Sequence, residues 1–278
     1  MTNYLKELIA QAEKHGFAIG FPIVMSGPES ELVGNAFFLD PSQTIRHFIK
    51  FEYFAALLAN RALRLRPLNR FDDDPNEGKL SQANATGSSS FGTQLAQQWE
   101  TNPETDGWKQ FINGTQRTLI YVHCWFGQEE EDKAMWSRYG NGGRGICLKT
   151  SVQRLEESMQ SPLPSRPQLG KVTYLDESVA IPTMISSLAA YRKSPQFAHE
   201  KECRIVHELS FEECPKTPDG EFLSPPDHLM VAVDLDRLIE TVVVGPNTDD
   251  DFFTRTEAII KAAGLTCAAR RSQLASPT

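Results

Sequence analysis

The stretch TLIYVHCWF (residues 118–126) has the β-branched and aromatic content of a buried strand. GRGICLKT (143–150) predicts a second strand, separated from the first by the acidic run QEEED and the segment KAMWSRYGNGG. Outward from these two, the same criteria predict strands near residue 44, around Leu63 and Leu65, and over residues 171–176, 202–209, 230–235, 241–246 and 265–270. A sheet of many strands is therefore the expected centre of the fold.

Apolar residues at helical spacing occur between some of these strands, but not after every one. Helices are predicted over residues 4–16, 51–60, 151–160, 178–194 and 249–264. Pro182 interrupts the fourth helix early, and Gly264 closes the fifth, which acidic residues open. The pattern predicts an α+β fold with a mixed sheet and flanking helices, because a doubly wound sheet would need a helix after each strand.

One long polar stretch interrupts this order of elements. FDDDPNEGKLSQANATGSSSFGTQ (71–94) is rich in Asp, Asn, Gly and Ser, which is typical of a loop or a mobile lid and does not by itself separate two domains. A chain of 278 residues can bury a sizeable core. We therefore predict a single domain over residues 1–278, with an N-terminal helical extension (1–43) and a core (44–270).

Charge and hydropathy limit the classes of partner. The formal net charge is -8 and 23% of the residues are charged, which argues against bulk phosphate neutralisation on nucleic acid. A local basic patch remains open at Arg61, Arg64, Arg66 and Arg70, although a solvated rim is the favoured interpretation. No apolar run approaches the roughly 18 to 20 residues of a membrane span, and the N-terminus does not resemble a signal peptide. We expect a cytoplasmic protein with no membrane partner.

Cysteine and histidine spacing gives little sign of a metal or disulfide framework. The five cysteines are scattered and form no CxxC pair. His199, Cys203 and His207 recur every four residues, so they would align as metal ligands on a helix. Because this segment has the residue types of a strand, we predict no metal site.

Residues 140–145 match the letters of GxGxxG, a phosphate-binding pattern. In that pattern a strand precedes the glycines and a helix follows them, so that the helix N-terminus can hold pyrophosphate. Here a strand-like ICLK follows, and Asn-Gly is a common hairpin signal. We therefore predict a tight turn.

The stretch HEKECRIVHE (199–208) contains the sharper functional signal. A period of two places Glu200, Glu202 and Arg204 on one face of the predicted strand, opposite Cys203, Ile205 and His207. Two carboxylates beside an arginine can be tuned for acid–base work or for stabilising a developing positive charge. The plainer alternative, and the one that the pattern alone favours, is a solvent-facing row with an ordinary Glu–Arg pair.

Two further clusters are candidate ligand contacts. Just before the tight turn lies a cluster that could stack a planar ring while hydroxyls orient it: Trp136, Ser137, Arg138 and Tyr139. Core packing explains a tryptophan equally well. Arg46 and His47 lie on a predicted strand, where they could hold a phosphate or a ribose, or cap the sheet edge.

Several segments together resemble the bacterial DUF2971 family (Domain of Unknown Function 2971). Residues 118–126 and 133–150 are similar to its central block, residues 171–174 to its next strand, residues 191–205 to its Lys, aromatic and Glu-x-Glu-x-Arg block, and residues 63–78 to its early strand and Asn-Asp-Pro-Glu loop. Family members often have Phe-Ser after the cysteine of the central block, whereas this chain has Trp125 and Phe126. This departure leaves no hydroxyl at that position.

The order of these blocks also resembles the layout of ADP-ribosyltransferases, which split NAD across a bent sheet. The resemblance implies catalytic roles for Glu202, which would bond the nicotinamide ribose, and for Glu200 beside it. It implies NAD-binding roles for Arg46, His47, Trp136, Ser137, Tyr139 and His123. The loop containing Asp72, Asp73 and Asp74 could close over the site.

The resulting functional hypothesis is an NAD-dependent mono-ADP-ribosyltransferase, a bacterial toxin or anti-phage effector. Its partners would be a macromolecular acceptor, with protein, RNA and DNA equally open, and an antitoxin or regulatory protein. An NAD glycohydrolase would use the same pocket with water as acceptor. A third hypothesis is a non-catalytic nucleotide-sensing module of a defence or regulatory operon, in which Glu200, Glu202 and Arg204 form structural ion pairs.

Overall fold

The computed structural model describes residues 32, 34–36, 39–71, 73–85, 117–160, 166–181, 186–210, 213–219 and 224–274. The helix predicted over residues 4–16 lies outside this part of the chain, as do Asp72, Pro182 and the end of the polar stretch after residue 85. None of the helices in the described ranges has the length and apolar content that crossing a membrane requires.

Eleven strands are present in the described residues. They are β1 (Thr44–Ile49), β2 (Ala62–Pro67), β3 (Ile120–Phe126), β4 (Ile146–Ser151), β5 (Gln168–Lys171), β6 (Thr173–Tyr174), β7 (Arg192–Lys193), β8 (Glu202–Glu208), β9 (Leu229–Ala232), β10 (Thr241–Val244) and β11 (Ala268–Arg271). Strands β6 and β7 form a short parallel pair, and the other nine form one sheet. The pair β10 and β11 is parallel and the remaining pairs are antiparallel, so the predicted mixed sheet is confirmed.

Helices flank this sheet. The α-helices described are α1 (Phe51–Asn60), α2 (Gln82–Ala85), α3 (Arg117–Leu119), α4 (Lys133–Arg138), α5 (Val152–Ser158), α6 (Leu235–Leu238) and α7 (Asp250–Ala262). Three 3₁₀ turns cover Leu68–Arg70, Ser186–Tyr191 and Pro195–Glu200. The Ser151 hydroxyl accepts the Arg154 N–H at the start of α5, and Asp249 accepts the Phe252 N–H at the start of α7. These caps confirm the predicted starts of both helices.

The prediction of a helix over residues 178–194 is wrong in the part that the structure describes. Residues 186–191 form a 3₁₀ turn, and Arg192 and Lys193 pair with β6. Arg204 Nη1 donates to the Ala190 carbonyl at 2.7 Å, so a tertiary contact takes the place of helical hydrogen bonding there. Helix α4 was not predicted, although Asp132 caps it by accepting the Met135 N–H at 3.0 Å.

Strand β3 organises the sheet because it pairs with three other strands. Strand β8 pairs along the whole of it, from Ile120 opposite Glu208 to Phe126 opposite Glu202. Its other edge is shared by β1, which pairs at Phe126, and β2, which pairs at Tyr121 and Val122. The order β11-β10-β4-β1 thus joins one end of β3, and β2-β9 joins the other.

The two faces of this sheet are covered differently. We call the face that carries His47, Trp125 and Cys203 the Trp125 face. Helices α1, α5, α6 and α7 pack on it and form the largest apolar cluster. We call the face that carries Arg46, Phe126 and Glu202 the Glu202 face. It holds two smaller apolar clusters, one around Val122 and Leu188 and the other around Phe126 and Trp136.

Candidate functional site

The site is built on the first residues of β8, at the boundary between the two small clusters of the Glu202 face. Glu202 lies opposite Phe126, which belongs to one cluster, and Arg204 lies opposite Cys124, which packs against the other. The Glu202 backbone N–H donates to the Tyr174 hydroxyl at 2.8 Å, which fixes the start of the strand against β6. The site therefore occupies a polar gap in an otherwise apolar layer.

Glu202 is held between two cations. Arg204 Nε donates to Glu202 Oε2 at 2.7 Å, and Lys193 Nζ donates to Glu202 Oε1 at 3.3 Å. Glu202 is 6% exposed and Arg204 is fully buried, so the interpretation of this strand as a solvent-facing row is wrong. The alternation was read correctly, but both faces of the strand are covered by other parts of the chain.

Glu200 extends the array of charges toward the surface. It ends the 3₁₀ turn before β8, where Lys193 Nζ donates to its Oε2. Its Oε1 accepts the Tyr139 hydroxyl at 2.7 Å and lies 3.2 Å from Arg138 Nη1. Tyr139 and Arg138 come from the end of α4, which brings that helix to the rim of the site. The Arg138 side chain is 39% exposed and marks the boundary with solvent.

A short loop that we call the acidic loop (residues 73–77) covers the array from outside. Asp73 pairs with Arg138 at 3.1 Å, and Asp74 accepts the Ser194 N–H and hydroxyl at 2.8 and 2.9 Å. Glu77 Oε1 pairs with Arg204 Nη2 inside the protein. The described residues of this loop contact the groups around Glu202, and its closure over a ligand stays a prediction.

Together these contacts form a row of alternating charges. The ion pairs run from Arg138 to Glu200, Lys193, Glu202, Arg204 and Glu77. The row itself holds three carboxylates and three cations, and Asp73 of the acidic loop adds a fourth carboxylate at Arg138. The loop touches both of its ends, through Asp73 at Arg138 and through Glu77 at Arg204. We call this row the charge chain.

The environment sets the protonation of each group. Burial by itself would raise the pKa of Glu202, but Arg204 and then Lys193 outweigh it and hold that pKa below its ordinary value. Burial tends to lower the pKa of Lys193 and of Arg204, and in both the nearby carboxylates, Glu202 foremost, raise it above its ordinary value. Glu202 is therefore a fixed carboxylate, and its two partners are fixed cations.

The Glu77 carboxylate is less well stabilised by its surroundings than the Glu202 carboxylate. Burial raises the pKa of Glu77 above its ordinary value, and the attraction of Arg204 and Lys193 does not offset it. Its second oxygen, Oε2, is buried without a hydrogen-bond partner. An unsatisfied buried acceptor costs on the order of 1–3 kcal/mol. Glu77 is thus an imperfect partner for Arg204.

Of the residues singled out in the sequence, the structure brings together Glu200, Glu202 and Tyr139. Arg46 shares the Glu202 face but lies two strands away, with Phe126 between it and Glu202. Its Nε and Nη2 donate to the Glu129 carbonyl, while Nη1 is buried without a partner. Arg46 is therefore held away from the charge chain.

His47 and His123 lie on the Trp125 face, on the other side of the sheet from Glu202. Their rings are 4.3 Å apart between centroids, and His47 Nδ1 contacts the Cys124 carbonyl at 2.9 Å. Burial lowers the pKa of His47 to about 4, and burial followed by the nearness of His47 lowers that of His123. The structure does not bring these histidines to the carboxylates, because alternation on β1 and β3 points them the opposite way.

Trp136 and Ser137 are also separated from Glu202. The Trp136 indole is buried, packs edge-on against Phe48 at 4.9 Å between ring centroids, and donates to Glu131 at 3.0 Å. Ser137 is exposed on α4. The helical turn that brings Tyr139 and Arg138 to Glu200 directs Trp136 into the core, so core packing accounts for this tryptophan.

Sequence reasoning gave no role to three residues of the site. Lys193 pairs with both carboxylates, Glu77 pairs with Arg204, and the Tyr174 hydroxyl accepts the Glu202 backbone N–H. Lys193 had a signal, since it is the lysine of the Lys, aromatic and Glu-x-Glu-x-Arg block. Glu77 had a weaker signal, since it lies in the segment similar to the family's Asn-Asp-Pro-Glu loop, but its pairing depends on a contact with Arg204, 127 positions away in the chain.

The structure also shows the conformation of the glycine-rich motif and of the segment with regularly spaced histidine and cysteine. The glycine-rich residues 140–145 form turns that lead directly into β4, with Asn141, Gly142 and Gly143 at φ values of 54, 65 and 78°. The predicted tight turn is confirmed. His199 is exposed in a 3₁₀ turn, while Cys203 and His207 follow it on β8, so the three do not align as they would on a helix.

Comparison with known families adds one finding. Residues 135–205 match the model of the family described as protein of unknown function (DUF2971). The match confirms the resemblance for these residues, which include every member of the charge chain except Glu77. Comparisons with curated proteins and with solved structures found no match.

Proposed function

We propose that this chain is an NAD-dependent mono-ADP-ribosyltransferase that acts on a macromolecular acceptor and has an ADP-ribosyltransferase-like fold. The observation that supports the proposal is the state of Glu202, an ionised carboxylate held by Arg204 and Lys193 beside a second carboxylate and a tyrosine hydroxyl. Such a carboxylate suits a reaction that develops positive charge on a sugar.

The chemistry assigns a role to each of these groups. When the bond between nicotinamide and ribose breaks, its electron pair leaves with nicotinamide and the ribose becomes cation-like. Glu202 stabilises that charge and forms a hydrogen bond with the ribose, because its carboxylate is already ionised and fixed before the reaction begins. A nucleophile of the acceptor then attacks from the opposite face of the sugar, and Glu200 takes up its proton.

Access requires the acidic loop to move. Glu202 and Arg204 are buried beneath it, and solvent reaches the charge chain at Arg138. The loop is attached to the site through side chains of Asp73, Asp74 and Glu77. These polar contacts can be replaced by contacts to a bound ligand, so the described arrangement corresponds to a closed state.

The test is incubation of the purified protein with NAD radiolabelled in the adenylate portion and a bacterial lysate. We expect nicotinamide release and label on macromolecules, and a loss of both in Glu202→Gln. Glu157→Gln is the matched control, because Glu157 is a half-exposed glutamate on α5, which packs on the Trp125 face. Full activity in a folded Glu202→Gln variant would overturn the proposal.

The products also separate the two catalytic hypotheses. Label in protease- or nuclease-sensitive material identifies a transferase and its class of acceptor. If free ADP-ribose is the sole labelled product and nicotinamide is released in an equal amount, the protein is an NAD glycohydrolase instead.

A second candidate function is a nucleotide-sensing module without turnover. The observation that favours it is the complete pairing of the carboxylates: Glu200 and Glu202 each contact at least two donors, and neither is left free for acid–base work in the closed state. This function would be selected over the transferase if calorimetry shows that NAD binds and if no nicotinamide is released with or without lysate.

A further inference from the structure

We propose that Glu77 occupies an anion subsite on Arg204, and that the pyrophosphate of a dinucleotide displaces it and releases the acidic loop. The inference rests on the proposed function for the identity of the dinucleotide. The subsite itself follows from the charge chain and from the poor fit of Glu77.

The loss of Glu77 would leave a donor of Arg204 for another anion. With Glu77 in place, Arg204 Nη2 pairs with one oxygen of Glu77 and one oxygen of Glu202. If Glu77 leaves, Nη2 keeps only the Glu202 contact, and a buried guanidinium donor without a partner is unfavourable unless another acceptor replaces the lost one.

The contacts of Arg204 suit a phosphate group. Its Nε is used by Glu202 and its Nη1 by the Ala190 carbonyl, which fixes the plane of the guanidinium. Its Nη2 points to Glu77, as well as to Glu202. A preoriented guanidinium binds phosphate oxygens with charge-assisted hydrogen bonds. The side chain that bears the subsite is therefore already in position before a ligand arrives.

Glu77 is a removable occupant. It satisfies Arg204 with one oxygen while its other oxygen, Oε2, is buried and unpaired. Two backbone hydrogen bonds, Glu77 N–H to the Asp74 carbonyl and Lys79 N–H to the Asn76 carbonyl, both at 3.1 Å, are local to residues 74–79. A pyrophosphate offers more acceptor oxygens to the same donors, so exchange of one anion for the other improves the pairing.

The experiment is calorimetric titration of the full chain with inorganic pyrophosphate and, separately, with NAD. Glu77→Gln removes the competing charge and keeps the shape, so we expect at least about tenfold tighter binding of both ligands. Asp73→Asn is the control within the same loop. It breaks the exposed pair with Arg138 but leaves Glu77 on Arg204, and we expect a change of less than about threefold.

Hydrogen exchange on the wild-type protein tests the same displacement without a variant. Saturating pyrophosphate should speed exchange of the Glu77 and Lys79 amides. Unchanged exchange, together with equal affinities of the wild type and Glu77→Gln, would overturn the subsite. If the protein releases nicotinamide but shows neither faster exchange nor tighter binding in Glu77→Gln, the subsite is overturned and the proposed function is retained. Tighter pyrophosphate binding in Glu77→Gln with no nicotinamide release by any variant leaves the subsite standing and removes the transferase.

Discussion

Two interleaved pairs of residues on β8 are buried to a similar degree, one pair by polar contacts and the other by apolar contacts. Glu202 and Arg204 point to the Glu202 face, where ion pairs and hydrogen bonds satisfy them. Cys203 and Ile205 point to the Trp125 face, where they join the largest apolar cluster. All four are at most 6% exposed. Alternation along a strand thus tells which residues share a face, but not whether that face meets water.

The two faces differ in how much stability is lost when a single group is removed. Apolar contacts on the Trp125 face are numerous and each is weak, so the loss of a methyl group removes only a small part of them. The charge chain contains few groups, and each is stable only while its partner is present. The two faces should therefore respond very differently to substitutions of similar size.

The largest effect is expected from Arg204→Met. It keeps the length of the side chain but leaves Glu77 and Glu202 buried without their main cation, which should lower the free energy of unfolding by roughly 3–5 kcal/mol. Urea denaturation followed by circular dichroism measures it. A loss below about 1 kcal/mol would mean that the charges on this face are not as tightly coupled as their contacts indicate.

The next effect concerns pH and the Trp125 face. Burial lowers the pKa of His47 from 6.5 to about 4, so the folded protein keeps a neutral ring while the unfolded chain takes up a proton. Stability is therefore lost as the pH falls from about 6.5 toward 4. The loss from this group is roughly 3 kcal/mol, since one pKa unit corresponds to about 1.4 kcal/mol.

His47→Asn should remove that part of the pH dependence, because the amide can still donate to the Cys124 carbonyl but does not titrate. Urea midpoints at pH 7.5 and pH 5 measure it in both proteins. The comparison at pH 7.5 isolates the change in packing, since the imidazole is neutral there. Parallel pH profiles of the two proteins would contradict the assignment.

A third prediction contrasts the two glutamates that bind Arg204. Glu202→Gln should destabilise the protein by roughly 1.5–3 kcal/mol, the range for hydrogen bonds to charged groups. Glu77→Gln should cost less than about 1 kcal/mol, because burial raises the pKa of Glu77 and its Oε2 has no hydrogen-bond partner, so the Glu77 carboxylate itself is poorly stabilised. Thermal or urea unfolding at pH 7.5 measures both. The reverse order of the two losses would contradict the described charge chain.

The smallest effect is expected from Ile205→Val. This substitution deletes one methyl group from the Trp125 face and should cost roughly 0.5–1.5 kcal/mol. It is the counterpart of Arg204→Met one position away on the same strand. Nearly equal losses for the two variants would remove the proposed contrast between the faces.

Local patterns predicted most of the strands and the alternation on β8, because both depend on neighbours in the chain. The grouping of Glu200 and Glu202 with Tyr139 came instead from the resemblance to ADP-ribosyltransferases, which also grouped His47 and His123 with them. Local patterns did not separate His47 and His123 from that site, since a strand's pattern does not show which of its faces a distant strand shares. The role of Glu77 was beyond sequence reasoning, because it depends on a single long-range contact with Arg204.

The most direct test of the central claim is the rate of nicotinamide release from NAD by the wild-type protein and by Glu202→Gln, at a temperature where near-UV circular dichroism shows both to be folded. Loss of one preorganised stabilising group costs a factor of about 10² to 10³ in rate. We predict a decrease of that size in Glu202→Gln and no decrease in Glu157→Gln. Equal release by wild type and Glu202→Gln, or no release by the wild type under any condition, would contradict a catalytic role for the charge chain.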